Sequence, residues 1–277
     1  MVTVHAVAQS GFGKGTNELY DKARPSYQPY VLSHIRNAVK GEPLLNIVER
    51  VMLGAGTGIF TRALLAHPDW ASSIKSLRAI EPSEGMREVF SKSVNDERVT
   101  VTGGTFDTAN VEDGWADLVV VAQAFHWCPD YDQAAAEFAR ILKPDGVVVL
   151  VWNLEDREGA SWVAQLRDRY EFYEQGTPQF RLDLWRQVFD TPSYQKHFKP
   201  HEEKKWQYKL TSDLNGVVNR AFSKSYISVL PDEEKAAVKS SILDIVHRGD
   251  DLVWVDKEAG VFEYPYRTLV VVASKRQ

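Results

Sequence analysis

Between Ile47 and Trp152 the chain alternates short apolar runs with segments of helical periodicity, and few architectures tolerate that rhythm. Residues 47–53, 77–80, 99–101, 117–122 and 147–152 read as strands. Residues 60–66, 86–90 and 131–142 read as helices between them; in the last, Ala134, Phe138, Ile141 and Leu142 share one face before the Lys143-Pro144-Asp145-Gly146 stop. The run Asp-Leu-Val-Val-Val-Ala at 117–122 has no polar alternation, so both its faces must be covered, as in a parallel sheet. Parallel strands joined through helices imply right-handed crossovers and a doubly wound α/β sheet. The fold class is therefore α/β and Rossmann-like.

The flanks divide the chain further. Residues 1–40 form an amino-terminal lead-in, with glycines at 11, 13 and 15 and helical spacing over 31–39. Residues 41–154 form the Rossmann-like core. The rhythm is lost over 155–260, where Trp162, Leu166 and Tyr170, and later Val238, Ile242 and Ile245, recur at helical spacing. Between these lies an aromatic stretch including Phe180, Trp185 and Phe189, so this part reads as a mostly helical insertion on the substrate side. Residues 261–277 supply the last strand of the sheet. With 277 residues a sizeable core is within reach, and the single cysteine, Cys128, excludes an internal disulfide and a cysteine-rich zinc site. The histidines show no ligand spacing, so no metal is expected. A net charge of −5 and the lack of a long basic run argue against nucleic acid. No apolar run has the length of a membrane span, and no secretory signal is visible at the amino terminus. The expectation is a cytoplasmic protein that meets a small-molecule substrate and no membrane; oligomeric state is left open.

The sequence Leu53-Gly54-Ala55-Gly56-Thr57-Gly58 joins the first core strand to its helix. Glycines serve there where the backbone is strained or where a ligand approaches the main chain, although a tight turn without a ligand satisfies the same pattern. Glu81 ends the second strand, 23 residues after Gly58, where a carboxylate can accept from both hydroxyls of a ribose. The spacing is G-x-G-x-G and not the G-x-G-x-x-G of dinucleotide binders, which favours a mononucleoside without a pyrophosphate.

Taken in order, Gly54-Ala55-Gly56-Thr57-Gly58, Glu81-Pro82-Ser83 with Met86, Gln123-Ala124-Phe125-His126-Trp127 and Leu142-Lys143-Pro144-Asp145-Gly146 resemble the class I S-adenosylmethionine-dependent methyltransferases. Within that class the set is similar to the small-molecule branch that includes trans-aconitate methyltransferase, and the similarity spans roughly residues 15–153. The resemblance implies a Rossmann-like methyltransferase core with S-adenosyl-L-methionine as cofactor. It implies that Tyr20 and Arg24 lie in a segment folded over the cofactor, that Gly54, Ala55 and Gly56 pass its methionine end, and that Glu81 holds its ribose. Phe106 and Asp107 would flank the adenine, with a plain turn residue as the other reading of Asp107, and Gln123 would stand near the sulfonium. The family usually carries an acid two positions before the first glycine, where this chain has Met52. Glu49 lies three residues earlier, so either residues 50–52 are a local insertion past which Glu49 is brought back, or cofactor affinity is weakened.

Transfer of an activated methyl group is an in-line displacement that requires alignment and exclusion of water. A carboxylate acceptor needs no base; a phenol, alcohol or amine benefits from one. His126 follows the strongest strand and is the candidate catalytic residue, either as that base or as a histidine that shapes the pocket by hydrogen bonding. Trp127 and Trp152 are candidate substrate-side walls, with core packing as the alternative, and Arg24 and Arg181 are candidates for pairing with a carboxylate. The expected function is methyl transfer to oxygen (or nitrogen) of a small molecule such as a carboxylic acid or secondary metabolite. A non-catalytic cofactor-binding module, suggested by Met52, and a nucleotide-dependent oxidoreductase are the alternatives.

Overall fold

The computed structural model describes residues 17–41, 44–50, 55–104 and 110–277. Among the described residues, β1 (Leu45–Arg50), β2 (Ile74–Ile80), β3 (Val99–Thr102), β4 (Ala116–Ala122), β5 (Leu142–Glu155), β6 (Glu202–Ser212), β7 (Trp254–Asp256) and β8 (Val261–Ser274) form one sheet. Its order is β3-β2-β1-β4-β5-β8-β6, with β7 paired to β8. Strands β1 to β5 pair in parallel, and β8 returns antiparallel against β5, from Val147 opposite Ser274 to Glu155 opposite Tyr266. The α/β doubly wound reading holds, with the last strand where it was expected.

Strand β4 shows why the sheet forms. Leu118, Val119, Val120 and Val121 are all fully buried. Val119 and Val121 pack into one apolar layer, Leu118 and Val120 into the layer on the opposite face. Burial of each such side chain stabilises the fold by about 1.5–3 kcal/mol, and a charge at Val120 would have no partner on either face. The helices begin where short polar side chains cap them. Ser83 Oγ accepts from the Met86 N–H (3.3 Å) ahead of the helix Glu84–Ser93. Asp130 Oδ1 accepts from the Gln133 N–H (2.9 Å) ahead of Tyr131–Ile141.

The described part of the lead-in contains α1 (Asn17–Ala23) and α2 (Pro29–Ala38). Beyond β5, the helices Ser161–Glu171, Leu214–Phe222 and Asp232–Arg248 pack into a third apolar cluster around Trp162, Ile242 and Tyr264. Two elements of this region, β6 and the short β7, differ from the sequence expectation. Residues 202–212 are a strand, β6, hydrogen-bonded along β8 from Glu202 opposite Val272 to Ser212 opposite Phe262. Its Glu202-Glu203-Lys204-Lys205 start is exposed and lacks an apolar signal, yet such charges suit a sheet edge because they discourage pairing with another chain. The aromatic stretch after Glu171 forms three 3-10 turns, Phe172–Glu174, Phe180–Leu182 and Leu184–Asp190. No helix among the described residues is long and apolar enough to cross a membrane.

Candidate active site

The strand order reverses between β1 and β4, and ligands of open α/β sheets bind outside the carboxyl ends of the strands at such a point. The glycine turn leaves β1 there, and Gln123 to Trp127 leave β4. Gly56 and Gly58 have φ of +55° and +86°, angles that disfavour a side chain. A Cβ at Gly58 would also stand 2.7 Å from Val94 Cγ2, so the turn is packed against the carboxyl end of the helix Glu84–Ser93.

Two buried carboxyl groups support this turn. Glu81, fully buried at the end of β2, accepts from the Gly56 N–H through Oε2 (3.0 Å) and from the Ser83 N–H through Oε1 (2.7 Å). Burial pushes its carboxyl up to about 8 against those two hydrogen bonds, and the nearby Glu49 carboxyl adds to the rise. Glu49, also buried, accepts from Thr61 Oγ1 and lines a narrow cleft together with Tyr27, Ala55, Gly56 and Gln123. Burial raises it to about 8 as well, with the Thr61 hydrogen bond acting the other way.

The cleft adjoins a larger cavity of about 110 Å³ over the ends of β4 and β5. Gln123, at φ +63°, donates from Nε2 to the Asn153 carbonyl (2.8 Å) and so ties the ends of the two strands together. His126 lines the cavity, and its Nδ1 lies 3.2 Å from Trp152 Nε1. An indole nitrogen is a donor only, so Nδ1 accepts and the neutral ring carries its hydrogen on Nε2. Burial, reinforced by the Arg24 cation, depresses the ring to about 3, so it stays neutral at physiological pH. Trp152 is held by Phe180 (4.9 Å between centroids) and Trp185 (4.6 Å).

The far side of the cavity is ionic. Arg167 pairs with Glu171, and Arg181 with Glu174 (2.6 Å). Glu155, at the end of β5, is shared by Arg220 (3.1 Å) and Lys224 (3.0 Å). Burial opposes ionisation of Glu155, but the Arg220, Lys224 and Arg167 cations outweigh it and hold the carboxyl well below the usual range. Burial and Arg220 lower Lys224 to about 7. Arg24 Nη2 donates to the Ser223 carbonyl (2.8 Å), and its guanidinium stacks on Tyr20 (4.5 Å).

Of the residues singled out in the sequence, Tyr20, Arg24, Gly56 and Gln123 line both the cleft and the cavity. Ala55 lines the cleft alone; His126, Trp127 and Trp152 line the cavity alone. Glu81 stands behind Gly56 and is on neither wall. Met52, Gly54, Phe106 and Asp107 lie outside the described residues. Trp152 is both wall and core, since it is fully buried among aromatics. Sequence reasoning missed Asn153, Glu155, Arg220 and Lys224. The first two end a strand beside the switch point and were open to the same argument that found Gln123; the others stand in a region without a motif.

A methyltransferase-domain family profile matches residues 51–150. An uncharacterised methyltransferase-like protein of Schizosaccharomyces pombe is 30% identical over 228 residues, 82% of each chain. An uncharacterised methyltransferase of Mycobacterium tuberculosis is 33% identical over 148 residues, 53% of this chain and 54% of that one. Among solved structures, a protein of Anaeromyxobacter dehalogenans taken for a type II methyltransferase superposes with a TM-score of 0.62 at 16% identity, covering 91% of this chain and 97% of that one. A phosphoethanolamine N-methyltransferase of Haemonchus contortus, in complex with phosphomonomethylethanolamine and S-adenosylhomocysteine, gives a TM-score of 0.56 at 13% identity, covering 100% of this chain and 61% of that one. The turn between β1 and its helix, the acid behind it and these relatives agree: the chain belongs to the S-adenosylmethionine-dependent methyltransferases.

Proposed function

We propose that this enzyme methylates a carboxylate oxygen of a small acid, with His126 as a hydrogen-bond donor and not a base. The observation that carries the reading is the Trp152 Nε1 contact to His126 Nδ1, which leaves the Nε2–H of a neutral ring for the cavity. A neutral imidazole whose second nitrogen already bears hydrogen cannot accept a proton from an alcohol or phenol. It can donate to one oxygen of a carboxylate while the other oxygen attacks. A carboxylate is ionised at neutral pH, so no proton has to leave and no base is needed. The sequence similarity to the branch that includes trans-aconitate methyltransferase points to the same acceptor class.

The cradle fits the cofactor. Glu81 uses one lone pair on each oxygen for backbone N–H groups and keeps others for two ribose hydroxyls. Glu49 offers a buried acid to the amino group, which answers the Met52 departure without the usual residue. S-adenosylmethionine bound here supplies a methyl group already activated on a sulfonium. Gln123 fixes the geometry of the strand end, and Trp152 and Phe180, backed by Trp185, give the cavity one apolar wall.

The test is a labelled methyl-transfer screen over small carboxylic acids, phenols and amines. The reading predicts a base-labile methyl ester from at least one acid. Turnover confined to phenols or amines would overturn the acceptor class, and no turnover with any acceptor would favour a binding module.

A further inference from the structure

We infer that Arg62 and Asn153 are positioning residues that fasten residues 20–26 across the cofactor cleft and so set how fast the cofactor leaves; this rests on the cofactor seat described above. Tyr20, Arg24 and Pro25 supply one wall of the cleft, and the glycine turn supplies another through Ala55, Gly56 and Thr57. Side chains from elsewhere in the chain hold the first of these walls at two points. Near its start, Asp21 accepts from Arg62 Nη2 (2.6 Å). Through Nη1 the same guanidinium donates to the Thr57 carbonyl (2.7 Å) and to Ser93 Oγ (2.6 Å). Ser93 Oγ in turn donates to the Thr57 carbonyl (2.8 Å). One planar, many-donor side chain therefore ties α1 to the main chain of the glycine turn, a fixed fork that a lysine ammonium does not offer.

At the other end, the buried Asn153 donates through Nδ2 to the Ser26 carbonyl (3.3 Å) and accepts through Oδ1 from Thr268 Oγ1 (2.6 Å). A carbonyl only accepts, so the amide nitrogen has to face Ser26, and the Thr268 hydroxyl holds it in that orientation. The main-chain carbonyl of Asn153 is also the acceptor of Gln123 Nε2. Asn153 thus sets residues 20–26 against the paired ends of β4 and β5. Asp21 lines neither the cleft nor the cavity, so a change there reaches the cofactor by way of the segment that carries Tyr20 and Arg24. A segment that covers a bound ligand commonly limits the ligand's release, and it opens more often when a bond that holds it is removed.

Stopped-flow displacement of S-adenosylhomocysteine from the full chain, with no acceptor present, tests this. Asp21→Lys sets a cation against Arg62, and Asn153→Leu keeps the shape of the side chain but cannot donate to Ser26. Dissociation should be about fivefold or more faster in each, whereas Asp21→Glu, which restores the ion pair, should stay within about twofold of wild type. Hydrogen exchange of the complex supplies the second readout: residues 17–28 should lose protection in the two faster variants while β4 keeps it. If Asn153→Leu does not fold, Thr268→Val, which removes the hydroxyl that orients the amide, takes its place. Dissociation near the wild-type rate at either end, an equal acceleration in Asp21→Glu, or protection lost from β4 as well would overturn the fastening. Failure of the wild type to bind S-adenosylhomocysteine is a separate result, and it would sink the cofactor seat itself.

Discussion

Replacing Trp152 by Phe removes one N–H donor from the active site and leaves an aromatic ring in the stack with Phe180 and Trp185. The indole N–H to His126 Nδ1, at 3.2 Å, is a neutral hydrogen bond with a net worth of about 1 kcal/mol. That energy is what favours the tautomer with hydrogen on Nε2. Without it the two neutral tautomers become comparable: their ratio shifts about fivefold, the factor that corresponds to 1 kcal/mol, and the donor population falls from about five-sixths to about one half. Trp152→Phe should therefore lower kcat by at most about twofold, and the lost buried volume should cost about 2 kcal/mol of stability. His126→Ala removes the donor altogether and should cost about ten- to a hundredfold in kcat. His126→Gln, which keeps an N–H, should recover much of that loss. The assay is initial-rate methyl transfer to the best acid from the screen, with S-adenosylmethionine saturating at every pH and kcat/KM for the acid followed from pH 5 to 9. Because burial and Arg24 hold the ring near 3, no histidine limb should appear in that range. A rate that climbs between pH 6 and 7 in wild type, and a limb that His126→Gln abolishes without rescue, would refute the donor role and restore the base.

Three other outcomes follow from the buried charges. Glu49 and Glu81, raised by burial from about 4.5 to about 8, keep their protons in the empty folded chain while the unfolded chain has released them. Their contribution to stability is complete below about pH 4.5 and is lost as pH rises through 8, which chemical denaturation across that range will detect. Cofactor hydroxyl and ammonium groups favour the ionised acids, so S-adenosylmethionine affinity should rise by up to about tenfold per pH unit per group until pH 8 and then level off, with proton release visible in buffers of different ionisation enthalpy. Glu155→Ala strands Arg220 and Lys224 without their shared partner, and should cost about 3–5 kcal/mol, or a Tm lower by roughly 10 °C by calorimetry.

How much of this was legible in the sequence depends on whether a residue announces itself locally. The strands β4 and β5 are dense apolar runs, and the turn between β1 and its helix is dense in glycine, so periodicity and turn chemistry locate them. Gln123 and His126 follow because the ends of such strands are where ligands bind. The strand β6 is hidden, because its outer half is charged and its inner half shows only weak alternation through Trp206, Tyr208 and Leu210. The tautomer of His126 was equally hidden. It depends on Trp152, 26 residues away, whose indole reaches it only when β4 and β5 pair. Arg220 and Lys224 carry no motif at all; they line the cavity because the helix Leu214–Phe222 and the residues just after it bring them onto Glu155 at the end of β5, a tertiary fact that no window of sequence contains.

The account depends on a bent main chain and a buried acid that together hold an adenosine bearing sulfur. Titration calorimetry of S-adenosylhomocysteine into wild type and Glu81→Gln addresses it directly. The amide that replaces the carboxylate would be the wrong acceptor for two hydroxyls, and the loss of charge-assisted hydrogen bonds worth about 1.5–3 kcal/mol weakens binding roughly ten- to a hundredfold. Micromolar binding in wild type with that loss in the variant is the predicted result; no heat in wild type, or equal affinity in both, would contradict it.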